Sequence, residues 1–413
     1  MLVGMSTPTP FNVTSPADIL SYVPHVLGFQ PKDSLVFLTM TGKRIGATLR
    51  LDLPGPDTDL FDYASGAGSF LQSDTGADGV LMVLYTDQEW TDPAEPPYLE
   101  LVHCLDLVLD ASGLQLRDGW LVGGSHWREY FCDDGSCCPW PGHPRGTITD
   151  SRLNAEMVYQ GSSYADSLET AVGNLSQESH EDIKRLCGDY QAAYSAGWGS
   201  KGLGREALRV WDVVISATKG KPAASPTDTP EVTAFLLAGL AATPIRDCLP
   251  VLAALGLDAA LSGAAASGAF RGKKTHVAIP AECTAMLSSR PAAADAGPQT
   301  SSADAASAFG GVFVGTYAGA LDWERLDALH AVLLALSPLA SGSSRAALLT
   351  ILAWIEWARG RGSRAHLYLQ ESVRVAPGYA LARLLTELIG SGALASWTRQ
   401  RDRAWQSESP HAA

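Results

Sequence analysis

Three thiols fall within seven residues of this chain. They are Cys132, Cys137 and Cys138, in the run Cys132-Asp133-Asp134-Gly135-Ser136-Cys137-Cys138-Pro139, with Trp127, Tyr130, Phe131 and Trp140 around them. Cysteine thiolates act as soft metal ligands, as nucleophiles or as disulfide partners, and buried reduced thiols simply pack. A vicinal bridge between Cys137 and Cys138 would close a strained ring. A bridge from Cys132 to either one closes a short loop, worth about 2 kcal/mol by chain entropy. Zinc takes four ligands, and three thiolates with a histidine are an accepted set. His143, five residues past Cys138, has workable spacing, with His126 and His103 as alternatives. The paired Cys-x-x-Cys knuckles of a strong zinc signature do not occur. A nucleophilic thiol needs a cation close by. Arg128 precedes Cys132 by four positions, about 13 Å along an extended strand, which exceeds the Debye length of about 8 Å. Asp133 and Asp134 push the thiol pKa upward. Local charge therefore counts against a free reactive Cys132, while packing, metal and redox roles stay open.

Arg50 and Asp52 form the second constellation, in Leu49-Arg50-Leu51-Asp52-Leu53-Pro54. Period-two alternation puts both on the polar face of one strand. They lie near its end, where open α/β sheets keep their clefts. An arginine fixed beside a carboxylate orients an anionic ligand; such pairs are also common as solvated ion pairs of little energetic weight. Gly199-Ser200-Lys201-Gly202-Leu203-Gly204 sits between helical patterns and lacks the Gly-Lys-Ser/Thr ending of a phosphate loop, so it reads as a helix-helix turn. No Gly-x-Ser-x-Gly elbow, His-Glu-x-x-His pair or dinucleotide fingerprint occurs.

The elements that must position these residues fall into two styles. A chain of 413 residues exceeds one ordinary core and suggests two or three domains. With 46% hydrophobic and 18% charged residues it has ample material for burial. A net charge of −14 repels phosphate backbones and anionic membranes, so the expected partner is a protein or small molecule, with no nucleic acid and no membrane. There is no basic region followed by an apolar stretch at the N-terminus and no run of about 18 apolar residues. A cytoplasmic location is therefore expected, where thiols stay reduced and clustered cysteines point to metal or redox chemistry.

Residues 1–150 read as an α/β domain with a mixed sheet and packed helices, ending in the cysteine cluster. Ser34–Met40 and the alternating Lys43–Leu53 form a hairpin about Thr41-Gly42. Asp57–Gln72 and Tyr98–Ala111 read as helices, Gly79–Tyr85 as a buried central strand, and Leu114–Val122 with His126–Phe131 as strands joined at Gly123-Gly124. Residues 151–287 read as helical, with Ser179 capping Ile183–Tyr194. Glu206–Thr218, a linker at 219–230, Glu231–Ala241 and Pro244–Leu255 follow. Residues 288–310 lack periodicity and read as a disordered loop. Residues 311–413 read as a helical, repeat-like region with four amphipathic helices from Asp322 to about Trp397. One helix pair there, with Leu349, Leu352, Ala353, Ala365, Leu369 and Pro377, resembles a tetratricopeptide repeat; a single unit is not an array, and an ordinary helix pair in a bundle is the favoured account of it, ahead of a short repeat-like surface for a partner.

Several stretches together resemble a bacterial, chiefly actinobacterial, family catalogued as domain of unknown function 4192. They are Pro24-His25-Val26-Leu27-Gly28-Phe29-Gln30-Pro31 with Asp33-Ser34-Leu35-Val36, Leu49 to Pro54, and Trp127 through Tyr130 to Cys132 with Cys137-Cys138-Pro139 and Gly142. Ile245-Arg246-Asp247 and Ala353-Trp354 with Gly360, Gly362, Arg364 and Ala365 also fit. The resemblance implies no activity, substrate or cofactor, and it fixes no histidine at His126 or His143.

The sequence thus leads to an α/β domain followed by an all-α region, with Pro24–Pro31 (His25 included), the Arg50–Asp52 strand end and the cysteine loop converging on one site. Two functions remain. One is a non-enzymatic binding or regulatory protein that uses the helical half as partner surface. The other is a metal- or thiol-dependent enzyme built on Cys132, Cys137 and Cys138, with zinc as the candidate metal, His143 as a fourth ligand and Arg50 placing an anionic substrate.

Overall fold

The computed structural model describes residues 13–172, 175, 180–195, 197–219, 229–271, 278–289, 301–391, 393–400 and 402–406. Among them, the residues up to Ala171 form one compact unit and those from Val172 to Gln406 a second.

The first unit is a six-stranded mixed sheet between helices. Its strands are β1 (Ser34–Thr41), β2 (Arg44–Asp52), β3 (Gly79–Tyr85), β4 (Gln115–Val122), β5 (His126–Glu129) and β6 (His143–Pro144), in the order β2-β1-β3-β4-β5-β6. Only β3 and β4 run parallel, and a helix crosses between them; the other neighbours are antiparallel. Period-two alternation divides the sheet's apolar residues between two faces. Leu35, Phe37, Val80, Met82, Leu84, Leu121 and Tyr130 pack under α2 (Leu60–Leu71) and α3 (Leu99–Ala111). Val36, Leu38, Leu81, Val83, Trp120, Val122 and Trp127 pack under α1 (Pro16–Leu27). Gly68 permits the close approach of α2 to α3, since a Cβ there would lie 3.0 Å from Val108 Cγ1.

Helix α1 is not anticipated by the periodicity, yet its start is written in the chain. Ser15 accepts from the Asp18 N–H, the Asp18 carboxylate accepts from the Ser15 N–H, and Pro16 takes the first helical position. The chain then continues through α4 (Gly146–Thr149) and α5 (Arg152–Tyr159). Helix α5 packs on α1: the Leu153 N–H donates to Asp18, and Ser151 donates to Ser21. The first unit therefore ends near Ala171 rather than at residue 150.

After the short α6 (Leu168–Val172), the second unit is all helix: α7 (Glu181–Ala193), α8 (Leu203–Thr218), α9 (Pro230–Leu240), α10 (Thr243–Arg246), α11 (Leu249–Leu255), α12 (Leu257–Ala266), α13 (Ala281–Ser288), α14 (Ser302–Val314), α15 (Trp323–Leu336), α16 (Gly342–Ala358), α17 (Gly362–Val375) and α18 (Ala380–Gly390). Two sequence expectations change. The single helix expected over 244–255 breaks into α10 and α11, because Pro250 supplies no N–H to continue the ladder. Residues 302–310, expected as loop, belong to α14, which Ser301 caps; 290–300, most of the linker and Ser179 lie outside the described residues. From Val172 onward the helices share one core, in which Trp211, Phe235, Trp354 and Trp397 are buried. Helix α16 is not amphipathic but buried on all sides from Ser344 to Ala358. The Gly199–Gly204 segment is the turn leading into α8.

No single helix among the described residues is long and apolar enough to cross a membrane. The bent pair Pro230–Leu240 and Thr243–Leu255 approaches that length, but its apolar side chains lie in the second unit's core.

Candidate metal centre

The hairpin of β4 and β5 sets the site. Val122 pairs with Trp127, Leu121 with Arg128 and Trp120 with Glu129, so residues along β5 alternate between the two sheet faces. Trp127 and Glu129 take the α1 face; Arg128 and Tyr130 take the α3 face, where the Tyr130 hydroxyl donates to the Pro97 carbonyl. Beyond Tyr130 the chain makes an excursion that carries all three cysteines, then returns as β6, with His143 opposite Trp127. Gly142 makes that return possible. Its φ is 141°, and a Cβ there would meet the Trp127 carbonyl oxygen at 2.7 Å.

Within the excursion, Asp134 shapes a tight turn. Its carboxylate accepts from the Ser136 N–H, and its carbonyl accepts from the N–H groups of Cys137 and Cys138. The turn brings the sulfurs together. Cys132 Sγ lies 3.3 Å from Cys137 Sγ, Cys137 Sγ lies 3.8 Å from Cys138 Sγ, and all three lie within 4.8 Å of one another. Thiolates on one tetrahedral zinc ion stand about 3.8 Å apart, given a Zn–S bond of about 2.3 Å. Cys138 is buried, Cys132 half-buried and Cys137 exposed, so the cluster opens to solvent on one side.

Arg128 holds the excursion from inside. It is buried, and its guanidinium donates to the carbonyls of Cys138 (2.8 Å), Pro139 (3.2 Å) and Cys132 (3.3 Å). The guanidinium lies against the rings of Trp90 and Trp140, 5.4 and 5.5 Å from their centroids. Among the described residues, no carboxylate lies within ion-pair distance of it. The extended-chain distance of about 13 Å does not apply, because the chain curls back over its own strand.

Clustering shapes the acidity of the thiols. Burial pushes the Cys138 thiol up to about 12, helped by hydrogen bonds with Cys132 and Cys137 and by the Glu129 charge. Cys137 is raised chiefly by its hydrogen bond with Cys132. Cys137 and Cys138 therefore keep their protons until a cation displaces them.

Two carboxylates that sequence reasoning passed over border the cluster. Glu129 Oε2 is 3.8 Å from Cys138 Sγ. Asp118 hydrogen-bonds Glu129, and burial, with the Glu129 charge, pushes its pKa up to about 6 against the backbone hydrogen bond from Gly119. The signal was present: opposing Trp120 to Glu129 across a Gly-Gly turn puts Asp118 on the Glu129 face.

The other candidates lie elsewhere. His143 is outside the converging sulfur set. Its ring stacks on Trp127 with centroids 4.5 Å apart, and its Nε2 is 3.1 Å from the Cys137 carbonyl oxygen. Arg50 and Asp52 pair at 2.6 Å on β2, and Arg50 faces the Phe29 ring at 6.0 Å. His25 Nδ1 lies 2.9 Å from Ser162 Oγ and its Nε2 2.9 Å from Asn154 Oδ1, so the ring links α1 to α5 and the segment beyond it. The Pro24–Pro31 segment and Arg50 thus do meet, through Phe29. The cysteine loop does not join them: the strand order separates β2 from β5 by four steps, roughly 19 Å at strand spacing.

A family model described as domain of unknown function (DUF4192) matches residues 16–266, more than half of the chain. The matched residues include the whole sheet and the cysteine loop, whereas the Ala353–Ala365 resemblance lies beyond them. No curated protein and no solved structure matches the chain.

Proposed function

The chain belongs to the DUF4192 family, and we propose that it is a metal-binding protein whose first unit holds a thiophilic divalent cation, zinc, on Cys132, Cys137 and Cys138. The convergence of three sulfurs within 4.8 Å carries this reading. Arg128 supports it as well. Three thiolates on a divalent ion leave one net negative charge, and a buried guanidinium hydrogen-bonded to the ligand loop offsets it. Seven unbridged cysteines accord with a reducing compartment such as the cytoplasm.

The protein acts by binding rather than by turning over a substrate, with the helical unit as the surface offered to a partner. Arg50, the cation that an enzyme reading would use to place an anionic substrate, is paired with Asp52 on the far side of the sheet. The test is elemental analysis of protein purified without chelator, together with thiol titration. One zinc per chain in the wild type and none in Cys137→Ser is the expected result. Three freely titrating thiols with no metal would overturn it. Loss of two titratable thiols would instead identify a Cys132–Cys137 disulfide, whose sulfurs start 3.3 Å apart.

A further inference from the structure

Three thiolates leave one position of a tetrahedral ion unfilled. His143 is held away from it, with its ring face on Trp127 and its Nε2 at the Cys137 carbonyl. Glu129 also lies outside the set of ligand atoms within 4.8 Å of one another, but its carboxylate meets the cluster at one sulfur and reaches the others by a side-chain rotation. Its Oε2 lies 3.8 Å from Cys138 Sγ, close to the roughly 3.5 Å that separates a sulfur and an oxygen bound to one zinc ion. The backbone of Glu129 is fixed as the last residue of β5, opposite Trp120, while its side chain is half-buried on the rim of the cluster. Asp118 reaches the same carboxylate by a hydrogen bond from β4, the kind of outer contact that orients a ligating group.

We propose that the Glu129 carboxylate is the fourth ligand of the cation, giving a Cys3Glu centre, and that Asp118 is a positioning residue for it. The proposal rests on the metal reading above. A carboxylate oxygen is a harder donor than sulfur, so the centre suits zinc or cobalt(II) better than copper(I). The loaded centre carries two net negative charges, of which Arg128, hydrogen-bonded to the loop, offsets one.

The experiment loads purified full-length protein with zinc or cobalt(II) alone. X-ray absorption of the zinc-loaded wild type is expected to give three sulfurs and one oxygen at about 2.0 Å. Outer-shell scattering from an imidazole would overturn the assignment. Glu129→Gln is expected to weaken zinc at least tenfold and to shift the ligand-field bands of bound cobalt. Its thiolate charge-transfer intensity should stay that of three sulfurs, and His143→Ala should match the wild type. If Glu129→Gln binds with unchanged affinity and spectrum while Cys138→Ser fails to bind, only the Glu129 assignment falls. If the wild type takes up neither ion, the metal reading falls and takes this one with it. The absorption spectrum of the wild type decides even if the glutamine variant fails to fold.

Discussion

Arg128 donates to the carbonyl oxygen of Cys138 at 2.8 Å, which makes the guanidinium a clamp on the cysteine loop rather than a partner of the thiols. Its other contacts, to the Cys132 and Pro139 carbonyls and to the faces of Trp90 and Trp140, act on the same short stretch. The planar fork presents its donors at fixed, separated positions along the loop, whereas an ammonium group offers its three from a single point.

Arg128→Lys is accordingly expected to lower zinc affinity at least tenfold, and Arg128→Met to destabilise the first unit by about 2 kcal/mol, chiefly the cost of orphaning the buried Cys138 carbonyl. Competition with a chromophoric chelator and urea unfolding measure the two. Wild-type affinity in the lysine variant would remove the clamp from the account.

Asp118 gives a pH-dependent prediction for the metal-free protein. Burial raises its folded pKa to about 6 from an ordinary 3.8, so the folded state holds the proton more tightly than the unfolded state. Its contribution is fully present below pH 3.8 and is lost as pH rises through about 6. Asp118→Asn keeps an acceptor for Gly119 N–H and gains a donor toward Glu129. It is expected to stabilise the apo-protein at pH 7 by about 1 kcal/mol, discounted for a half-exposed group. Melting curves at pH 5 and 7 check it; equal destabilisation at both would contradict the assignment.

The hairpins were legible because glycine turns separate alternating runs: Thr41-Gly42 between β1 and β2, Gly123-Gly124 between β4 and β5. The buried β3 showed itself as an unbroken apolar run. Strand order was hidden, since nothing local to β1 says that its second neighbour is β3 rather than β4. That one unknown accounts for the mistaken convergence of Arg50 with the cysteines. Helix α1 was hidden by Pro24 within it, which reads as a break although the capping box at Ser15 and Asp18 starts a helix. The cysteines were the most readable part of the site, because three thiols in one window are rare. Their neighbours Glu129 and Asp118 have no distinctive spacing and come together only through β4–β5 register.

The second unit supplies a prediction of its own. Glu356, buried on α16, lies 3.1 Å from His330 Nε2 and is ion-paired with Arg359 and Arg361. Burial alone would raise its carboxyl, but the His330 hydrogen bond and the arginine charges outweigh that and hold it well below the usual carboxylate range. Burial, with the Arg359 charge, pushes His330 down against the pull of Glu356. Both folded pKa values are depressed, so both groups lend stability at high pH that is lost on acidification, His330 from about pH 6.5 downward and Glu356 from about 4.5 downward. The melting temperature should fall between pH 7 and 5. Glu356→Gln, which removes one of the two carboxylates on Arg359 and leaves Asp327 as the other, should cost about 2 kcal/mol. A melting temperature flat across that range would count against the network.

Trp127 and His143 are register partners, so the chain that leaves β5 with its three cysteines is obliged to come back to the strand it left. Strand pairing closes that excursion, and the closure entropy is met by the sheet, not by any ion. Small zinc-dependent folds collapse when stripped, because there the cation is what closes the chain. Here the thiols are gathered in advance, and loading the proposed centre is expected to leave the backbone fold unchanged. A chain that folds without its ion would fill according to the free concentration of the cation and gain stability as it loads, which is the physical requirement for reading a metal supply rather than merely depending on one.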